Sequence, residues 1–95
     1  MTIILPNDVN TRQLCHVTAK MRSLGPPVIR ATWSYDLCAW VALEGSHRLT
    51  AAHALGLRPI IVEQNDDDGN PYGPLGMDYY TWIATAHERK ALIFR

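Results

Sequence analysis

The chain lacks any apolar run approaching the roughly 20 residues that a membrane-spanning helix needs, so no transmembrane segment is expected. Its first residues, Met1 to Asp8, carry no basic stretch followed by a long apolar core, and a cytoplasmic location is the expectation. Cysteine is scarce. Cys15 and Cys38 stand far apart, which excludes a disulfide framework and a zinc site built on CxxC pairs. Both are expected to be reduced packing residues. An excess of charge is missing too, because nine Lys/Arg balance nine Asp/Glu. No overall basic field draws the protein onto nucleic acid or an anionic membrane, so any attraction for phosphate must be local. Repeats and low-complexity segments are absent.

What remains suits one folded domain. The 95 residues are 47 % apolar and 19 % charged, enough for a modest core but not for two. Ile3 to Leu5 reads as a short strand. Pro6, Asn7 and Asp8 form a turn, and Asp8 or Asn10 caps a helix running to about Ser23. Leu14, Val17, Met21 and Leu24 recur at helical spacing and are expected to face the core. Gly25, Pro26 and Pro27 stop that helix. Val28 to Trp33 is rich in β-branched and aromatic residues. After a turn at Ser34, Tyr35 and Asp36, the apolar run from Leu37 to Leu43 forms a second strand, hairpinned to the first or beside it. Because the run does not alternate, a central strand buried on both faces is expected.

Beyond it lies Glu44-Gly45-Ser46-His47-Arg48, opening an alanine-rich helix that stops at Gly56. Pro59 to Glu63 then makes a short strand. Where a strand turns into a helix through glycine and serine, unpaired backbone N–H groups and the positive dipole end attract anions. The polar, Gly/Pro-rich stretch from Gln64 to Gly76 reads as a loop. Its run Asp66, Asp67, Asp68 lacks the alternating spacing and distal Glu of a calcium loop. From Met77 a last helix is expected to about Lys90, with Tyr79, Ile83 and Ala86 on one face. That face either packs on the sheet or docks a partner. His16, His53 and His87 do not form one local ligand set, and no metal is assigned.

The turn and its surroundings resemble the ParB N-terminal and sulfiredoxin superfamily. The likeness rests on Glu44-Gly45-Ser46-His47-Arg48, then Leu49, Ala51, Ala52, Leu55 and Gly56, then the strand Ile60, Ile61, Val62. A preceding helix, the Gly25-Pro26-Pro27 break and the strand from Val28 fall in the same order. It covers roughly residues 3 to 63, and the rest of the chain resembles nothing we can name. The resemblance implies an α+β fold, a small mixed sheet with helices packed against it. It also implies a nucleotide (ATP, ADP or CTP with Mg²⁺) or other phosphate ligand held by Gly45, Ser46, His47 and Arg48. A polar or basic side chain of the first helix would reach the same ligand; Arg12, Thr18 and Lys20 are available, and Arg12, near the helix start, is the candidate. A guanidinium's forked donors match phosphate oxygens, so Arg48 is the leading residue.

Alternatives stand beside each role. Arg48 could instead be a surface cation bridging to Glu44 or Glu63, and His47 a structural histidine bonded to the preceding loop. Ser46 stands where sulfiredoxins carry the attacking cysteine. A serine hydroxyl without a base is a poor nucleophile, so sulfiredoxin chemistry is not expected, and Ser46 reads as a helix cap. His47 stands where partition proteins carry the first of two arginines. A third branch, similar to ADP-dependent serine kinases, implies Glu44 as catalytic base or Mg²⁺ ligand and His47 as a second catalytic group; otherwise Glu44 is an exposed loop acid. The functions that follow are phosphoryl transfer or nucleotide hydrolysis, a non-catalytic module of phage or mobile-element type with protein or DNA partners, or a ParB-like nuclease. Oligomeric state, nucleobase and substrate are not legible in the sequence.

Overall fold

The apolar runs pair into one mixed sheet, and two helices lie across one of its faces. The computed structural model describes residues 1–64 and 86–95. Among them are β1 (Thr2–Ile4), α1 (Thr11–Leu24), β2 (Val28–Ser34), β3 (Ala39–Ala42), α2 (Ser46–Leu55), β4 (Ile60–Glu63) and β5 (Ala91–Ile93). The sheet has five strands in the order β4-β2-β3-β1-β5. β2 and β3 form an antiparallel hairpin with Trp33 opposite Trp40, while β1 lies parallel to β3 and β4 parallel to β2. The fold is α+β, as expected, and β3 is a central strand.

Local chemistry explains the boundaries. Asn10 caps α1 through its side-chain oxygen, which accepts from the Gln13 N–H at 3.1 Å. The helix α2 ends in a closed left-handed turn. Gly56 takes φ +71°, its N–H reaches His53 O at 3.3 Å, and the Leu57 N–H reaches Ala52 O at 2.9 Å. The strand expected from Leu37 begins only at Ala39, because Cys38 takes φ +49° and a left-handed residue leaves the ladder. Both cysteines are free and exposed, so neither is the packing residue expected.

The core lies between the sheet and the helices. Ile3, Ile29, Leu49, Ala51 and Ala52 are wholly buried there, with Met21 and Phe94 nearly so. Burying a side chain such as Leu49 contributes about 1.5–3 kcal/mol. Leu14 and Val17 pack against this core, but Leu24 does not: it is the last residue of α1, 80 % exposed, just before the chain breaks at Gly25. A second cluster, Ile4, Ala39, Val41 and Ala86, covers the opposite face of the sheet.

The last helix expected from Met77 falls mostly on residues outside those described, as do Tyr79, Ile83 and the run Asp66 to Asp68. It does not reach Lys90. Ala86–Glu88 is a single 3-10 turn, and the Lys90 carbonyl accepts from the Leu5 N–H at 2.8 Å. That bond commits the chain to β5, which runs antiparallel to β1 with Ile3 opposite Leu92. No helix among the described residues is long and apolar enough to cross a membrane.

Candidate functional site

The turn between β3 and α2 carries most of the residues singled out from the sequence. Gly45 precedes the helix with φ +84° and ψ +34°, a left-handed conformation that costs any side-chain-bearing residue energy. A β-carbon there would stand 2.6 Å from Ile29 Cδ1 and 3.3 Å from Arg48 Nη2. Both the dihedral and the space therefore demand glycine. The first bond of the α2 ladder runs from the Leu49 N–H to Gly45 O at 2.8 Å. The N–H groups of Ser46, His47 and Arg48 precede that ladder, and the first turn holds no acidic residue.

Ser46 and His47 hold the neighbouring loop. Ser46 Oγ accepts from the Asn7 N–H at 3.0 Å, and His47 Nε2 accepts from the Asn10 N–H at 2.8 Å. Together they tie the start of α2 to the start of α1. Ser46 is the first residue of the helix, not its cap, and its hydroxyl is turned to the 6–10 loop because Gly45 occupies the capping position. His47 Nε2 thus serves the backbone of that loop as an acceptor. This is the structural role weighed against phosphate contact for His47.

Arg48 donates from Nη1 to Val28 O at 3.2 Å and lies 3.6 Å from Glu44 through Nη2. Glu44 is shared. Its other oxygen accepts from Arg30 Nη2 at 3.1 Å, and Arg30 Nη1 in turn reaches Gln64 Oε1 at 3.3 Å. The Arg30 hydrogen bond, helped by the charges of Arg30 and Arg48, holds the Glu44 carboxyl below its ordinary range against the opposing effect of burial. A carboxylate held this way is a weak base, and two guanidiniums beside it oppose a divalent cation. The arrangement therefore engages Glu44 as a bridging anion.

Two cavities meet at Arg48. A polar groove of about 490 Å³ is lined by Asn7, Gln13, Val17 and the turn Gly45 to Arg48. An apolar cavity of about 270 Å³ is lined by Val17, Lys20, Met21, Leu24, Gly25, Pro26, Pro27 and Arg48. Val17 and Arg48 belong to both. The surface is thus amphipathic, with backbone donors and polar side chains at one end, aliphatic and proline side chains with Lys20 at the other, and Arg48 between them.

Arg12 is not brought to this surface; it is exposed, and the α1 residues facing the groove are Gln13 and Val17. The helical period accounts for this. Gln13 and Val17 lie four apart on one face, while Arg12 is rotated away from it. Counting back four from Val17 finds Gln13 in the sequence itself. Arg30 and Gln64 carried no such signal: the β2–β3 hairpin, with Ala31 opposite Ala42, brings Arg30 beside Glu44, and the β2–β4 pairing brings Gln64 to Arg30.

The fold and the turn define a small α+β domain with an amphipathic groove at a helix start. No protein-family model, curated protein or solved structure matches the chain.

Proposed function

We propose that this domain binds a nucleotide or another phosphate-bearing ligand in the groove between α1 and α2, as a ParB/sulfiredoxin-like domain. The observation that carries the reading is the position of Arg48, shared by the polar groove at the α2 start and the apolar cavity beside it. Phosphate oxygens would meet the guanidinium and the N–H groups of Ser46, His47 and Arg48, where donors and dipole both favour an anion. The ring system of an ATP, ADP or CTP would lie toward Met21, Pro26 and Pro27, with Lys20 adding a second cation. Free, exposed thiols at Cys15 and Cys38 suit a cytoplasmic, reducing setting.

A binding module without turnover is the second reading, and a specific observation favours it over phosphoryl transfer. Ser46 and His47 are engaged with backbone amides, and Glu44 with two arginines. Those side chains then serve as scaffold, and the backbone with Arg48 serves the ligand.

The test is a melting-temperature screen with ATP, ADP and CTP in the presence of Mg²⁺. A ligand at a hundred times its Kd stabilises by about 2.7 kcal/mol. The expected result is a rise that Arg48→Ala removes, and no rise with any nucleotide refutes the pocket. Phosphate release by the protein that does bind separates enzyme from module.

A further inference from the structure

Given that Arg48 receives a ligand phosphate, as proposed above, we propose that Glu44 is a built-in competitor for it. The carboxylate holds the Arg48 guanidinium in the resting arrangement and yields it to an incoming anion, while Arg30 keeps the carboxylate paired.

The two arms of Glu44 are unequal. Oε2 accepts a hydrogen bond from Arg30 Nη2 at 3.1 Å, whereas Oε1 lies 3.6 Å from Arg48 Nη2, beyond hydrogen-bond reach. Different oxygens serve the two arginines, so one arm can open while the other stays closed. The Arg30 end is anchored on the sheet, because Gln64, which accepts from Arg30 Nη1, is itself buried. Exposure does not separate the arms, at 48 % for the Arg30 side chain and 42 % for Arg48, and Arg48 has one further tie, to Val28 O, so the difference lies in the lengths of the two contacts.

Location makes the loose arm consequential. The Arg48 guanidinium is folded back over Gly45, its Nη2 and Nε only 3.3 and 3.5 Å from where a β-carbon would stand. It lies over the first turn of α2, where the two cavities meet. An anion arriving there finds Arg48 already beside a carboxylate. Moving Arg48 to the anion leaves Glu44 neither unpaired nor buried without a partner. The ion pair that opens is exposed and weak, so the competition is mild and is readily won by a ligand carrying several charges. Polyphosphates should therefore be preferred over a monoanion.

The probe is inorganic pyrophosphate, titrated calorimetrically at low salt. Removing the competitor with Glu44→Gln should tighten binding about two- to fivefold, the range an exposed ion pair supports. Arg30→Gln should weaken it, because Glu44 then turns wholly to Arg48, and this weakening should shrink in the Glu44→Gln background. Added salt should erode the gain of Glu44→Gln, since the pair is exposed. If the parent protein binds pyrophosphate through Arg48 but Glu44→Gln binds no better, the competition is overturned and the phosphate reading stands. Binding by neither protein overturns both.

Discussion

Replacing Gly45 by alanine tests the geometry on which the turn depends. At φ +84° a residue with a β-carbon carries about 1–2 kcal/mol of left-handed strain. The new carbon also lands 2.6 Å from Ile29 Cδ1. That atom is a side-chain tip and would yield easily in open space, but Ile29 is wholly buried, so overpacking adds about 1–2 kcal/mol. Gly45→Ala should therefore cost about 2–4 kcal/mol, which for a domain of this size lowers the melting temperature by roughly 10–25 °C. Gly56 supplies the control. Its φ of +71° is similar, yet nothing lies within 4 Å of its would-be β-carbon, so Gly56→Ala should show the strain alone. Urea unfolding followed by far-UV circular dichroism, with unchanged m-values, measures the difference. Equal midpoints for the two variants would refute the claim that Ile29 closes the space over Gly45.

The packing and scaffold roles lead to further expectations. Leu49→Ala removes a wholly buried side chain and should cost about 2–5 kcal/mol, while Leu24→Ala, at a position 80 % exposed, should change stability by no more than about 0.5 kcal/mol. A comparable loss at both positions would contradict the placement of the core. Ser46→Ala deprives the Asn7 N–H of its acceptor and should cost about 1–3 kcal/mol. Amide exchange should then quicken at Asn7, and exchange unchanged there would show that the Ser46 hydroxyl does not hold the loop.

Much of the fold was legible because local signals agree with the tertiary result. The Asn10 cap, the stop at Gly56, the β-branched run of β2 and the unbroken apolar run of β3 each have a short-range cause. The departures also have causes. Leu24 fits the helical stripe of Leu14, Val17 and Met21, yet it lies at the end of α1 where nothing covers it. The strand β5 lies just past the helix expected to end near Lys90 and carries no strand signal of its own; it is set by the Lys90 carbonyl meeting Leu5, a contact across most of the chain's length. Within the site, the Arg48–Glu44 bridge and the His47 tie to the preceding loop stood among the alternatives, whereas the Ser46 bond to Asn7 and the Arg30–Gln64 contact did not. Arg12 and Gln13 are adjacent in sequence and both exposed, and one step of helical rotation decides which of them lines the groove.

By itself the sequence determined an α+β domain, the helix start at Gly45 and the presence of Arg48 beside it, because caps, breakers and apolar period act over a few residues. Only the tertiary structure decided what those residues touch. Strand pairing set Arg30 between Glu44 and Gln64, and helix packing turned Ser46 and His47 onto the 6–10 loop. The same packing opened a groove around Arg48. These contacts join residues that are 20 to 39 positions apart in several cases, such as Arg48 with Val28 and Asn7 with Ser46. No local preference encodes such distances; they follow from the burial of one shared core.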